Sequence, residues 1–240
     1  MRPITREEIE TFRADGIVCL RGLFAPAWIE RLRRAAEAGL ATPGELSAEL
    51  AAARKDRGRF FHDTFVWRHN VDCRAFVFES PAARIAAALM GSRRVNIFFD
   101  QWLIKEPGTP TRTPWHQDLP YWPINGWQVA TLWLALDEVG ADSGAVEYLR
   151  GSHRWGRRYR PVAFSGQPQY TEPLPPMPNI EARREILDIL RFDLAPGDCT
   201  VHHALLLHGA PGNQRLDRRR RAYVTRWTGD DVIFNPRDGI

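Results

Sequence analysis

Val95-Asn96-Ile97-Phe98-Phe99-Asp100-Gln101-Trp102-Leu103-Ile104, closed by Glu106-Pro107-Gly108, is the stretch at which the chain changes character. β-Branched and aromatic residues crowd together there without an internal glycine or proline, the composition of a pleated, half-buried strand. From this point almost to the end, short apolar runs alternate with Gly and Pro punctuation, predicting further strands over 128–136, 145–149, 192–194, 200–207 and 220–227. Between them, prolines at 161, 168, 173, 175, 176 and 178 predict a loop lying over the sheet surface.

Upstream of Val95 the period is helical. Thr5 followed by Glu8 reads as a capping box, and Gly16 stops the helix it opens. A short strand, 17–20, follows. Pro26 starts a second helix whose apolar positions Ile29, Leu32, Ala35 and Ala36 recur on one face and which ends near Gly39. Residues 42–75 show no clear period and read as an irregular segment with short helix, and 81–90 is an alanine-rich helix stopped by Gly91. Helices first and strands afterwards predict a mainly β fold with flanking helices, a sandwich or barrel with the helices packed outside. The expected organisation is one domain over 1–240, with a helical part of about 1–94 packing on a β core of about 95–228.

The composition narrows the function. With 240 residues, 44% hydrophobic and 26% charged, the chain is that of a folded globular protein rather than a disordered or fibrous one. Its longest apolar run, Val129 to Leu136 interrupted by Thr131, is far short of a bilayer span, so no membrane partner is expected. The charged start Met1-Arg2-Pro3-Ile4-Thr5-Arg6 does not read as a signal peptide, which predicts a cytoplasmic location. Cys19, Cys73 and Cys199 are too far apart for a zinc knuckle and odd in number, and read as buried free thiols. A net charge of +4 is too small to indicate nucleic acid, and the arginine block Arg215, Arg218, Arg219, Arg220, Arg221 reads mostly as a solvated edge. Serine-hydrolase, P-loop and dinucleotide-binding motifs are absent from the sequence.

Chemistry concentrates in Pro114-Trp115-His116-Gln117-Asp118. On an extended strand, residues two apart point the same way, so His116 and Asp118 can offer an imidazole nitrogen and a carboxylate oxygen to one point. His208, at the end of the apolar run 204–207, is a candidate third ligand. Two histidines and one carboxylate on one face leave three open positions on an octahedral ion, the arrangement of non-haem iron(II) oxygenases. Taken singly, each histidine reads as well as a core or surface residue, and His202 and His203 lie close by.

Several motifs together resemble the phytanoyl-CoA dioxygenase family: Pro114-Trp115-His116-Gln117-Asp118, Trp133-Leu134-Ala135-Leu136-Asp137-Glu138, Ser143-Gly144-Ala145, Arg150-Gly151-Ser152-His153, Ala195-Pro196-Gly197-Asp198 and His208-Gly209-Ala210, with the opening Asp15-Gly16-Ile17-Val18-Cys19-Leu20-Arg21-Gly22-Leu23. The resemblance covers 5–38 and 95–228. It implies a double-stranded β-helix, a jelly-roll or cupin-like barrel, with iron(II) held by His116, Asp118 and His208 and with 2-oxoglutarate and O2 as cosubstrates. It places the cosubstrate arginine at Arg220, with Arg219 as rival, and a tryptophan, Trp133, near the cosubstrate. The implied reaction is hydroxylation of an unactivated C–H bond of a small or medium-sized metabolite, releasing succinate and CO2. Because Asp118 keeps the carboxylate that related halogenases replace, hydroxylation is expected over halogenation.

Candidate substrate residues follow from position. If Trp102 points into the barrel, Asp100 and Ile104 share its face, and Asp100 can then bond a polar substrate. Tyr121 and Trp122 follow the metal motif and can form a wall, while His62, Phe65 and Trp67 are candidates for a lid. The alternative reading is a cupin-like metal-binding barrel acting as a non-oxygenase enzyme or binding protein, and the arginine after His208 discriminates, since an anchor for a carboxylate is needed in the oxygenase alone. No residue pattern selects a particular substrate or an oligomeric state.

Overall fold

The computed structural model describes residues 2–51, 58–163 and 172–237. In chain order the elements are α1 (Arg6–Asp15), β1 (Ile17–Leu20), α2 (Pro26–Ala41), β2 (Ala48–Ala51), β3 (Phe60–Thr64), α3 (Val71–Glu79), α4 (Ala82–Met90), β4 (Asn96–Lys105), β5 (Thr113–His116), β6 (Ile124–Asn125), β7 (Val129–Ala135), β8 (Glu147–Leu149), β9 (Ile189–Arg191), β10 (Cys199–His203), β11 (His208–Ala210), β12 (Arg220–Thr228) and β13 (Ile233–Phe234).

The helix boundaries have local causes. The Thr5 hydroxyl accepts from the Glu8 amide at 3.1 Å and the Glu8 carboxylate accepts from the Thr5 amide at 2.8 Å, so α1 starts on a closed capping box. It ends at Gly16, whose φ of 77° is left-handed and whose missing side chain leaves room for the His153 ring. α2 starts at Pro26 and runs through Gly39 to Ala41 before its cap. The stretch 42–75 is more regular than its sequence suggests, for it holds β2, β3, a 3-10 turn at Val66–Arg68 and the start of α3. β3 is short and carries no long period of its own, but its backbone pairs with β4 from Phe60↔Lys105 to Thr64↔Gln101.

The strands form a large sheet in the order β1-β10-β7-β12-β4-β3-β2 and a small sheet in the order β5-β11-β8-β9, with β13-β6 as a separate pair. This is the two-sheet jelly-roll arrangement of a double-stranded β-helix, left open rather than joined into a hydrogen-bonded ring among the described residues. One face of the large sheet is buried under the helices in a core that includes Trp102, Ile104, Leu132, Leu134, Val201, Tyr223 and Trp227 with Phe76, Ile85 and Leu89. The other face turns toward the small sheet. The stretch expected as a strand at 192–194 is instead paired just before, at β9, with Leu194 making an isolated bridge to Val139. The expected strand 200–207 divides: β10 ends at His203, a turn crosses between the sheets, and His208 opens β11 in the small sheet. The loop expected over 161–179 falls partly outside the described residues, at 164–171.

Candidate metal centre

β5 and β11 lie side by side with His116 opposite His208. A side chain at Gly209 would bring its Cβ within 3.1 Å of the Thr113 carbonyl and 3.3 Å of the Trp115 amide, so glycine here lets the two ligand-bearing strands approach. β5 stops at His116, and Asp118 has αR backbone (φ −72°, ψ −48°) at the start of the 3-10 turn Leu119–Tyr121. The carboxylate therefore meets the imidazoles by a turn rather than by strand alternation. The potential donor atoms of His116, Asp118 and His208 all lie within 4.8 Å of one another.

Hydrogen bonds orient each donor. His116 Nδ1 lies 2.8 Å from the Pro114 carbonyl and His208 Nδ1 2.9 Å from the Leu206 carbonyl, so each ring donates there and aims Nε2 inward with a free lone pair. Asp118 Oδ2 accepts from Thr131 Oγ1 at 2.7 Å and from His202 Nε2 at 3.3 Å. Oδ1 faces His116 Nε2 at 3.5 Å and His208 Nε2 at 3.8 Å. Burial alone would raise the Asp118 carboxyl, but the His116 and His202 rings against it, with His208 and Arg226 close by, hold it well below the usual carboxylate range. Burial and the adjacent His116 and His202 rings keep the His208 imidazole well below its usual range, and burial lowers His202 likewise. Two imidazoles with Nε2 turned inward and an ionised carboxylate are the donor set that suits a divalent first-row ion with open positions.

The triad stands between two spaces. An inner chamber of about 130 Å³ runs past Leu103, Trp133, Val146 and Val224 to Arg220. An outer cleft of about 560 Å³ is bordered by His62, Phe99, Tyr121, Trp122 and Val162. Gln101, Thr113, His116, Asp118 and Arg226 border both. Arg220 is 2% exposed, donates to the Leu103 carbonyl at 3.2 Å and stacks over Trp133 at 5.4 Å, while its Nε has no partner. Burial pushes this guanidinium down to about 10 despite Asp137 and Tyr148 nearby. Arg219 points the other way, to Glu37 at 2.6 Å and Glu106 at 3.2 Å, and Arg221 pairs with Asp137 at 2.6 Å. The backbone turning extended into β12 thus separates the two rivals, putting Arg220, its first residue, in the chamber and Arg219, just before it, outside.

Of the substrate candidates, His62, Tyr121 and Trp122 border the outer cleft. Asp100 and Trp102 do not, which corrects the expected orientation of β4. They do share a face, but it is the helix-covered one: Trp102 packs against Tyr223 with ring centroids 4.5 Å apart. Asp100 accepts from the Tyr223 hydroxyl and, at 2.9 Å, from the Trp67 amide. The intervening Gln101 and Leu103 face the cavity instead. Phe65 lies tilted against Phe99 and Trp67 packs edge-on against Phe78, and neither borders the outer cleft. Sequence reasoning overlooked Thr131, His202, Gln101 and Arg226. The alternation Arg220-x-Ala222-x-Val224-x-Arg226 carried the signal for the last of these.

Among solved structures, the chain resembles the non-haem alpha-ketoglutarate-dependent carbocyclase SnoK from nogalamycin biosynthesis, with TM-score 0.81 and 22% identity over 97% of this chain and 87% of that one. It also resembles EctD from S. alaskensis, crystallised with 2-oxoglutarate and 5-hydroxyectoine, with TM-score 0.75 and 19% identity over 95% and 77%. These likenesses concern the fold. In sequence it is similar to dioxygenase hkm4 of Aspergillus hancockii, 25% identical over 171 residues, which are 60% of this chain and 52% of that protein. The chain thus spans about half the length of that relative, and 24% of dioxygenase cdmD of Talaromyces verruculosus, to which it is 30% identical over 92 residues. The sequence pattern of the phytanoyl-CoA dioxygenase (PhyH) family matches residues 12–222, most of its length, and the chain belongs to that family.

Proposed function

We propose that the protein is an iron(II)- and 2-oxoglutarate-dependent oxygenase that hydroxylates an unactivated C–H bond of a small or medium-sized metabolite. The observation that carries this reading is the pairing, within one cavity, of a two-histidine, one-carboxylate cluster with a buried arginine that has no carboxylate partner among the described residues. A cupin-like barrel whose ligand carries no carboxylate has no use for that arginine.

His116, Asp118 and His208 would hold the iron, and Arg220 would grip the distal carboxylate of 2-oxoglutarate through two parallel hydrogen bonds. When bound, iron and 2-oxoglutarate supply the oxidising power, with O2 consumed and succinate and CO2 released. The chain's own work is orientation and exclusion. Thr131 and His202 fix the Asp118 carboxylate by occupying Oδ2, leaving Oδ1 toward the cluster. Trp133 flanks the arginine, and Leu103, Val146 and Val224 keep water from the chamber. The organic substrate would enter by the outer cleft, along Tyr121, Trp122 and His62.

The test is an anaerobic titration of the iron(II)-loaded protein with 2-oxoglutarate, read by the weak visible charge-transfer band of the chelate. A saturable band that is lost in His208→Ala is expected, and no band despite verified iron loading would overturn the reading. Neighbours named as a carbocyclase and an epimerase define the competing outcomes of turnover. Hydroxylation adds one oxygen atom to the product, ring closure removes two hydrogens, and epimerisation leaves the mass unchanged.

A further inference from the structure

Arg226 lies on the same face of β12 as Arg220, at the other end of the cavity, where its charge favours the ionised Asp118 without bonding to it. It is 8% exposed. Its Nη2 donates to Gln101 Oε1 at 2.9 Å, while Nε and Nη1 are buried with no partner. Its guanidinium carbon stands 4.3 Å from the centroid of Phe99 and 5.8 Å from that of Trp122, so its flat face is covered by rings. Among the described residues no carboxylate lies within ion-pairing distance of it. The nearby acids are engaged elsewhere, Asp118 with Thr131 and His202, Asp100 with Tyr223 and the Trp67 amide. A buried cation with idle donors is costly to keep unless something brings it an anion.

Its place says where that anion comes from. Arg226 borders both the inner chamber and the outer cleft, next to His116 and Asp118. The deep end of the chamber already has Arg220, and the cleft side offers aromatic walls at Phe99, Tyr121 and Trp122. We propose that Arg226 receives a carboxylate of the organic substrate, and that the outer cleft takes acids whose apolar or aromatic body lies along those walls. The proposal rests on the oxygenase reading for the assignment of Arg220 and the inner chamber to 2-oxoglutarate. Two acids then meet in one cavity, and two arginines at opposite ends of one strand face sort them.

The experiment uses the iron(II)-loaded protein under argon, saturated with 2-oxoglutarate, and titrates it calorimetrically with 3-phenylpropionate and with 3-phenylpropionamide, which differ in charge but scarcely in shape. The acid should bind about tenfold more tightly than the amide, as a charge-assisted contact requires, and Arg226→Gln should bring the two within roughly twofold. Arg226→Lys, retaining the charge, should keep part of the preference and guards against misreading a misfolded variant. Equal binding of acid and amide by the native protein, or no binding of the acid at millimolar concentration, would overturn the proposal. So would a loss of 2-oxoglutarate affinity of about tenfold in Arg226→Gln with the acid preference intact, since it would assign the arginine to the cosubstrate's own carboxylate. Absence of the charge-transfer band in the native protein strikes instead at the oxygenase reading, and the acid preference is scored independently of it.

Discussion

The two faces of β12 differ more than any two regions of the fold. Toward the helices, Tyr223 and Trp227 sit in a packed core in which Phe76 meets Phe24, Trp28 and Tyr223 at ring distances of 5.3 to 5.7 Å. Toward the small sheet, the same strand offers Arg220, Ala222, Val224 and Arg226 to a cavity, and both arginines keep unpaired donors. One face has its interactions completed by the chain itself, and the other keeps donors open toward a cavity. Stability and function are thereby divided by a period of two along a single strand.

That division can be broken from either side. The largest effect should come from the helix side: Phe76→Ala, which opens a cavity beneath Tyr223, should lower unfolding stability by about 4 kcal/mol in urea denaturation while the folded fraction still forms the 2-oxoglutarate charge-transfer band. Next is Arg220→Gln, which should weaken 2-oxoglutarate binding roughly a hundredfold, against no more than about twofold for Arg219→Gln. Because Arg220 is buried with no ion-pair partner among the described residues, its removal should leave the melting temperature of the ligand-free protein unchanged or raised. A larger loss of 2-oxoglutarate affinity in Arg219→Gln would overturn the assignment of faces.

The smallest effect sharpens the comparison at a point where the helix side is itself strained. Burial pushes the Asp100 carboxyl up to about 6, against hydrogen bonds from Tyr223 and the Trp67 amide that lower it, from an ordinary value of 3.8. Between those two values the folded protein holds a proton that the unfolded chain has released, so this group's contribution to stability falls as pH rises from about 4 to about 6 and is flat above. Asp100→Asn should remove that slope, changing the stability difference between variant and native protein by about 3 kcal/mol across the window. A pH-independent difference would show that Asp100 does not titrate there.

Period and punctuation were enough to read the order of helices and strands, because capping, glycine stops and β-rich runs are local. What they could not supply is which side of a strand meets which neighbour. Alternation groups Asp100 with Trp102 and Ile104, yet their orientation depends on where the helices dock, a long-range matter. His116 and Asp118 converge, but through a strand end followed by a 3-10 turn, a geometry that has no periodic signature. The run 204–207 looks like strand because it is apolar, whereas it is apolar because the turn that carries it between sheets is buried. Arg220 and Arg219 differ by one position, and only pairing of β12 with β4 and β7 decides which is inside. His202 was obscured by the abundance of histidine around it.

The metal donors and the cavity arginines belong to different sheets. His116 and His208 ride on β5 and β11 and Asp118 on the turn that continues β5, whereas Arg220, Arg226 and Trp133 ride on β12 and β7. A slight breathing of one sheet against the other would therefore stretch the span from cluster to arginine while leaving the imidazole pair, fixed by direct strand pairing, at its own spacing. Asp118 crosses that division, since its Oδ2 accepts from Thr131 on β7 and from His202 on β10, so the carboxylate ties the paired imidazoles to the sheet that carries the arginines.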